Sequence, residues 1–316
     1  MKLLQVTAPG EFTILEAPVP APGPGQILMR VEAVATCPQW DLHLRHNEPM
    51  FKGHQFHYPY TPGQPGHEAC GFVEALGAEV TDLAVGQRVV AWRDQGHDRQ
   101  GCYAQYVVME AANVLAAPDD LPAAALAPLE MAMCVGTVYR TLRDMNAVAG
   151  KVCGVNGLGP AGLMALQMAR AEGAATVYGF DPVPARREFA LTLGADACFD
   201  PTATAAEPPR VQTAVDCHGA KASVEWLLDH ASEVVALFGV QREDYTFAVR
   251  HYGLTLLGYK GHSRESAQYA LDLIQAGKLS LAPLCTVSLP LERYNEGIEL
   301  LESRQAIKIC YRPWDV

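Results

Sequence analysis

A glycine-rich turn in the middle of the chain constrains the fold more than any other feature of the sequence. Residues 152–156 have the apolar pattern of a buried strand and run directly into Gly157-Leu158-Gly159-Pro160-Ala161-Gly162. An apolar stretch without β-branched residues follows from Leu163 to Ala171, which predicts a helix. A second short strand is predicted at residues 176–180, and Asp181 follows it, nineteen residues after the last glycine of the turn. This order of strand, turn, helix, strand and acid is the one that a dinucleotide needs.

Each glycine of the turn has its own role in nucleotide binding. Gly157 permits the tight turn, Gly159 lets the backbone approach the pyrophosphate, and Gly162 lets the helix pack closely on its strand. Pro160 fits the first helical turn, where its missing N–H group costs nothing, so the remaining N–H groups and the helix dipole face the phosphates. A glycine pattern alone most often marks an ordinary turn, but its context and Asp181 favour a dinucleotide site.

Composition argues against several classes of protein. The 316 residues suffice for two domains, and 49% hydrophobic with 19% charged residues is typical of a soluble globular protein. A net charge of -11 argues against a nucleic-acid or anionic-membrane partner. The nine cysteines form no C-x-x-C pair, the first residues lack the apolar run of a signal peptide, and no apolar stretch approaches about 20 residues. We therefore expect a cytoplasmic protein.

Two halves with different patterning predict the architecture. After residue 150, strands near 152, 176, 211, 233 and 254 alternate with helices near 162, 185, 220 and 266, which predicts a doubly wound parallel sheet and an α/β fold. Asp119, Asp120 and Pro122 supply a helix start before this half, and the chain closes with a helix at about 291–303 and a strand at 306–311. The first half is mostly β, with strands predicted at 2–6, 11–15, 26–35, 69–76, 87–92 and 103–109.

The first half also contains a candidate metal site. His67 and Glu68 are adjacent, Cys37 lies thirty residues upstream, and Glu130 lies downstream. A thiolate, an imidazole and a carboxylate with room for a fourth ligand are the pattern of an open catalytic zinc site. The alternatives are a buried Cys37 thiol, an inert exposed His-Glu pair and an ordinary helix-face acid at Glu130.

Taken together, these motifs resemble the zinc-dependent medium-chain dehydrogenase/reductase family. The resemblance covers nearly the full chain and rests on the glycine turn, Gly66-His67-Glu68, Cys37 with Asp41-Leu42-His43, Gly86-Gln87-Arg88-Val89, Asp216-Cys217-His218-Gly219 and the closing segment through Lys308. It implies a β-rich, GroES-like catalytic domain over residues 1–150 and 279–316, with a Rossmann-type dinucleotide domain inserted at 151–278. It also implies a small-molecule substrate and a homodimer or homotetramer.

The resemblance assigns the site residues. Cys37 and His67 are expected as zinc ligands, Glu130 as an acid near the metal, and Glu68 as a ligand or as a partner behind the ligands. A second, structural zinc is not expected, because the interval 93–100 replaces the segment where other members carry four cysteines. Arg186 and Lys308 are expected at the cofactor.

Asp181 predicts a preference for NAD over NADP. A carboxylate accepts hydrogen bonds from an adenosine ribose but repels a 2′-phosphate, and like charges about 4 Å apart cost on the order of 4 kcal/mol at an intermediate dielectric. Arg186 and Arg187 could reduce this preference by pairing with a phosphate.

The family chemistry is hydride transfer from an alcohol whose alkoxide is stabilised by zinc. His43 is the candidate carrier of the alcohol proton to solvent, and Asp41 in the same motif and Glu68 are further catalytic candidates. Two departures affect this path: Gln39 stands where the family usually carries serine or threonine, and Asp41 comes one residue late.

The predicted reaction is oxidation of a secondary alcohol, polyol or sugar-type hydroxyl with NAD, since Glu130 resembles the polyol-type pattern. One alternative is a zinc-free NADPH-dependent quinone or enone reductase of the same superfamily. The other is a nucleotide-binding protein without turnover, which the altered segment around Gln39 and Trp40 favours. The aromatic and histidine-rich segment 45–60 either lines a substrate pocket or packs as an irregular loop.

Overall fold

A computed structural model describes residues 1–92, 98–203, 208–259 and 261–315, which form two compact units, Met1–Met131 with Leu281–Val316 and Ala132–Ser280. The strands are, in chain order, β1 (Lys2–Ala8), β2 (Glu11–Glu16), β3 (Gln26–Ala35), β4 (Glu68–Leu76), β5 (Arg88–Trp92), β6 (Tyr106–Glu110), β7 (Val114–Ala116), β8 (Val152–Asn156), β9 (Thr176–Phe180), β10 (Ala197–Phe199), β11 (Val211–Asp216), β12 (Ala231–Leu237), β13 (Thr255–Gly258), β14 (Cys285–Leu289) and β15 (Lys308–Tyr311). The helices are α1 (Pro38–His46), α2 (Ala123–Leu126), α3 (Leu129–Asp144), α4 (Pro160–Ala171), α5 (Pro184–Thr192), α6 (Lys221–His230), α7 (Arg264–Gln275) and α8 (Tyr294–Glu302).

The boundary between the two units lies inside helix α3. The first unit ends at Met131, whereas the sequence predicts a boundary after residue 150, just before the first strand of the glycine-turn motif. Most of α3 and the turn that follows it therefore belong to the second unit. The other boundary follows Ser280, two residues after the predicted position.

The second unit is built on a six-stranded parallel sheet. Its strands lie in the order β10-β9-β8-β11-β12-β13, and each neighbouring pair is parallel. Counted from β8, this is the order 3-2-1-4-5-6 of a Rossmann fold, and ligands of such sheets bind outside the carboxyl ends of the strands where the order reverses. The reversal lies between β8 and β11. Strand β8 is buried over its last four residues, as expected for a central strand covered on both faces.

The first unit is β-rich and uses both ends of the chain. A seven-stranded sheet has the order β14-β15-β3-β4-β5-β7, with β6 also paired to β3, and β1 and β2 form a separate ribbon. Strands β14 and β15 pair parallel with each other, and β15 pairs antiparallel with β3. The predicted combination of a β-rich unit with a Rossmann-type parallel sheet is confirmed.

Helix α1 is an element that the sequence pattern does not predict. Cys37 is its N-cap, and Pro38 occupies the first helical position, where a proline loses no hydrogen bond. The helix ends at Asn47, whose φ of 53° is left-handed. In the described part of the chain every helix is too short or too polar to cross a bilayer. The interval 93–100, on which the prediction about a structural zinc rests, includes residues 93–97, which lie outside the described residues.

Candidate metal and nucleotide sites

Three predicted zinc ligands lie together in the first unit. Cys37 caps α1, His67 immediately precedes β4, and Glu68 is the first residue of β4. Because Ala35 at the end of β3 pairs with Glu68, the chain returns Cys37 to the same end of the sheet. Each residue offers one ligand atom, and these atoms lie within 4.8 Å of one another. All three residues are buried.

His67 has one ring nitrogen fixed by the backbone. Its Nδ1 lies 2.7 Å from the carbonyl oxygen of Pro65, which can only accept, so Nδ1 carries the proton of the neutral ring. The Nε2 lone pair is then available to a metal, and Nε2 lies 3.7 Å from Oε2 of Glu130 on α3. Burial alone lowers the pKa of His67, but Glu130, Cys37 and Glu68 together raise it to about 10. The surroundings of His67 therefore favour a positive charge.

Glu68 is held by a buried lysine from the last strand. Lys308 Nζ lies 2.8 Å from Glu68 Oε1, and neither side chain is exposed to solvent. Burial raises the pKa of the Glu68 carboxyl, and the charge of Lys308 opposes that rise. Oε2 of Glu68 is also buried, and among the described residues it has no hydrogen-bond partner.

The residues present fit a zinc ion. An unsatisfied buried acceptor costs about 1–3 kcal/mol, and a cation bound to Glu68 Oε2 removes that cost. The same ion would accept a thiolate from Cys37 and the Nε2 lone pair of His67, which are donors that zinc prefers. Glu130 adds a second carboxylate beside the group.

Lys308 lies beside Glu68 in the first unit. Its amine is fully buried, ion-paired with Glu68 and 4.0 Å from the Met131 sulfur, and its predicted place at the cofactor stays a prediction. We assign it as the charge partner of Glu68. Sequence reasoning missed this contact because residues 68 and 308 meet only through the placement of β15 beside β3.

Asp41 lies in the core of the first unit. Its carboxylate accepts hydrogen bonds from the Tyr103 hydroxyl, 3.0 Å from both oxygens, and from the Tyr294 hydroxyl at 2.8 Å. Burial raises the pKa of Asp41 to about 6, and the two hydroxyls oppose that rise. With no exposure and two tyrosine partners, Asp41 is placed to anchor α1 and its N-cap Cys37. Its predicted catalytic role stays a prediction.

His43 lies one helical turn after Gln39 and is nearer the surface. Its Nε2 is 3.1 Å from Gln39 Nε2, and its Nδ1 is 3.1 Å from the carbonyl oxygen of Glu48. The side chain of His43 is 17% exposed, and that of Glu48 is 65% exposed. This histidine is therefore placed between the helix start and solvent.

The glycine turn has the geometry that a pyrophosphate site requires. Gly157 has a φ of +86°, and a Cβ at Gly162 would lie 1.9 Å from the Gly157 carbonyl oxygen. Gly159 is the N-cap of α4 and Pro160 its first residue. A Cβ at Gly159 would meet no atom of the described residues within 4 Å, so these residues leave space over the helix N-terminus. A phosphate group fits this cradle of backbone N–H groups.

Asp181 follows β9 and has protein partners on both carboxylate oxygens. Oδ2 accepts from the Leu158 N–H group and Oδ1 from the Val183 N–H group, each at 2.8 Å. Arg186 lies 3.5 Å from Oδ2, and Arg187 donates to the Asp181 backbone carbonyl at 2.7 Å. Asp181 thus ties the end of β9 to the glycine turn, with the Arg186 guanidinium beside its carboxylate and that of Arg187 at its backbone carbonyl.

Sequence reasoning missed a polar network at the ends of β8 and β11. Asn156 Nδ2 donates to Ser223 Oγ at 2.7 Å, and that hydroxyl donates to Asp216 Oδ1 at 2.8 Å. The Gly219 N–H group donates to the other carboxylate oxygen of Asp216 at 2.8 Å. The available signal was a polar residue ending each of two apolar strands, at the point where the strand order reverses.

Comparisons with known proteins agree with this geometry. The alcohol dehydrogenase GroES-like domain family matches residues 23–119, and the zinc-binding dehydrogenase family matches residues 160–276. An alcohol dehydrogenase of Rhizobium meliloti is 35% identical over 66% of this chain, and the match spans 65% of that protein, less than two thirds of its length. An L-threonine 3-dehydrogenase of Pyrococcus horikoshii is 27% identical over 98% of each protein.

Solved structures share the whole fold. The alcohol dehydrogenase TADH of Thermus sp. ATN1 is 23% identical, with a TM-score of 0.83 and 99% of both chains covered. The 2R,3R-butanediol dehydrogenase of Bacillus subtilis is 21% identical, with a TM-score of 0.84 over 99% of both chains. The two family matches place the chain in the class of two-domain, nucleotide-binding dehydrogenases. The chain belongs to the zinc-dependent medium-chain dehydrogenase/reductase family.

Proposed function

We propose that this protein is a zinc-dependent oxidoreductase that transfers a hydride between an alcohol and NAD. The observation that carries the proposal is the buried group of Cys37, His67 and Glu68. Their ligand atoms lie within 4.8 Å of one another, and one Glu68 oxygen has no hydrogen-bond partner in the described part of the chain. This donor set has no simple structural explanation, because a buried acceptor without a partner is destabilising.

We propose a single catalytic zinc, held by Cys37, His67 and Glu68, with Glu130 as the neighbouring acid. When bound, the ion supplies a positive charge that stabilises the alkoxide form of the alcohol. Pro65 keeps the His67 lone pair directed at the site, and Lys308 balances the charge of Glu68. Burial of all these groups excludes water and strengthens their electrostatic effect on the substrate.

The cofactor proposal rests on the second unit. The N–H groups after Gly159 bind the pyrophosphate, and Asp181 accepts hydrogen bonds from the adenosine ribose. NAD is the proposed cofactor because a 2′-phosphate would be placed beside the Asp181 carboxylate. The positive charge of Arg186, which lies 3.5 Å from that carboxylate, reduces the preference for NAD over NADP. A related structure from Sinorhizobium meliloti 1021 is bound to NADP, and turnover that is faster with NAD than with NADP is the expected result for this protein.

The proposed substrate is a secondary alcohol, polyol or sugar-type hydroxyl. Relatives and structural neighbours carry names for dehydrogenases of L-threonine, 2R,3R-butanediol and galactitol-1-phosphate, all of which present a hydroxyl on a polar carbon chain. We further propose a cytoplasmic homodimer or homotetramer with no nucleic-acid or membrane partner. The edge strand β13 is the candidate subunit contact, since pairing across a two-fold axis extends the sheet.

The test combines metal analysis with turnover. We expect about one zinc per chain. We also expect the protein to reduce NAD with at least one alcohol from a panel of diols, polyols and hydroxy amino acids. His67→Gln should lose both zinc and turnover, while the matched variant of an exposed histidine, His57→Gln, should keep both. Zinc-free protein that reduces quinones with NADPH would identify the zinc-free reductase instead. Nucleotide binding without any turnover would identify a non-catalytic protein.

A further inference from the structure

The side chains of Gln39 and His43 are in contact on α1. The two residues are four apart on α1, so their side chains share one face of the helix. Gln39 Nε2 lies 3.1 Å from His43 Nε2, while the other ring nitrogen, Nδ1, lies 3.1 Å from the Glu48 carbonyl oxygen. Both nitrogens of the imidazole therefore face protein groups.

The partner of His43 Nδ1 is fixed by the end of the helix. Asn47 adopts a left-handed φ of 53° as the C-cap, and its N–H group donates to the last carbonyls of α1. The Glu48 N–H group donates to the His43 carbonyl oxygen at 2.9 Å, so Glu48 is bound to His43 through both its N–H and its C=O. A carbonyl oxygen only accepts hydrogen bonds. The neutral His43 ring must therefore carry its proton on Nδ1.

We propose that Gln39 is a positioning residue that holds neutral His43 in the tautomer protonated on Nδ1. In this tautomer Nε2 is an acceptor, and the amide N–H of Gln39 satisfies it. A proton can add to Nε2 only after the Gln39 amide turns its N–H away. The imidazolium so formed can release its Nδ1 proton toward the exposed Glu48 carboxylate, whose Oε2 lies 4.0 Å away.

Gln39 thus controls access to His43 and does not carry the proton itself, because an amide neither gains nor loses a proton near neutral pH. Glu48 and His54 are two titratable groups in the described part of the chain that interact with His43. Proton transfer to His43 rests on the proposed function, whereas the tautomer does not. The inference therefore has a direct readout without substrate.

Nitrogen NMR of the histidine side chains tests the tautomer in the full-length, zinc-loaded protein. The His43 signals are assigned by their loss in His43→Gln, and the wild-type ring is expected to be protonated on Nδ1. Gln39→Leu should move the ratio toward the Nε2-protonated form by roughly three- to tenfold, the effect of one neutral hydrogen bond. Gln39→Glu, whose carboxylate can only accept, should place a proton on Nε2. Gln268→Leu on α7, whose amide bonds Asp272, is the control and should change nothing at His43.

The inference would be overturned if neutral His43 in the wild-type protein were protonated mainly on Nε2. It would also be overturned if Gln39→Leu protein that binds as much zinc as the wild type had an unchanged ratio of the two His43 tautomers. The wild-type measurement needs no variant to fold. The proposed function fails separately: expected tautomers without any alcohol turnover would leave the inference standing. An active dehydrogenase whose neutral His43 is protonated on Nε2 would refute the inference and leave the proposed function standing.

Discussion

Replacing Tyr103 by phenylalanine should destabilise the first unit more at pH 8 than at pH 5. The Tyr103 hydroxyl donates to both oxygens of Asp41 at 3.0 Å, and the carboxylate is fully buried. Burial places the folded-state pKa of Asp41 at about 6, above its ordinary value of 3.8. Ionisation of Asp41 therefore costs stability as the pH rises through about 6, and the tyrosine hydroxyls limit that cost.

The magnitude follows from the charge of the acceptor. A hydrogen bond to an ionised group contributes roughly 2 kcal/mol and one to a neutral group about 1 kcal/mol. Tyr103→Phe should thus cost roughly 2 kcal/mol at pH 8 and about 1 kcal/mol at pH 5, which raises the pKa of Asp41 by about 0.7 units. For a unit of this size the loss in Tm is about 4–8 °C at pH 8 and about half of that at pH 5.

Thermal unfolding at the two pH values, at equal zinc content, checks this prediction. Tyr311→Phe is the matched control, because the Tyr311 hydroxyl donates to a neutral carbonyl, that of Tyr294, at 2.7 Å. Its cost should be about 1 kcal/mol at both pH values. If Tyr103→Phe showed no more pH dependence than Tyr311→Phe, Tyr103 would not be stabilising an ionised Asp41.

Three further perturbations have defined outcomes. Gly159→Ala should keep the wild-type Tm, since its Cβ meets none of the described residues, but should weaken NAD binding in titration calorimetry. An unchanged affinity for NAD would show that the pyrophosphate does not bind at Gly159. Lys308→Met leaves Glu68 without its buried cation and should cost about 3–5 kcal/mol in denaturant unfolding of the metal-free protein; a loss below 1 kcal/mol would contradict the ion pair. The pKa of His67, about 10 without metal, means that zinc must displace a proton, so zinc affinity should fall from pH 8 to pH 6; a pH-independent affinity would refute this.

The features predicted correctly from sequence are those encoded by neighbouring residues. The glycine turn, α4 and Asp181 lie within thirty residues, and strand alternation after residue 150 is enough to predict a parallel sheet. The grouping of Cys37 with His67 and Glu68 followed from ligand chemistry together with the family resemblance. Its geometry depends on the pairing of β3 with β4, which brings the two segments to one end of the sheet.

The features missed depend on contacts between distant segments. A helix of nine residues such as α1 is marginal by itself, and its formation depends on the burial of Asp41 and Leu44 in the core. The hydroxyl of Tyr294 reaches Asp41 across 253 residues of sequence, and Lys308 reaches Glu68 across 240. No local pattern indicates such partners. The sequence therefore indicates catalysis for Asp41 and cofactor binding for Lys308, which stay predictions, but it does not reveal these buried partners.

The ion pair between Glu68 and Lys308 also sets an order of events during synthesis. Glu68 leaves the ribosome 240 residues before its cation, and β3 lacks its partner β15 until the same moment. The second unit is one continuous segment, Ala132–Ser280, and is complete earlier. The second unit can therefore fold on the nascent chain while the candidate metal site is still incomplete. The proposed zinc is accordingly expected to bind only after residue 308 has been synthesised and β15 has paired with β3.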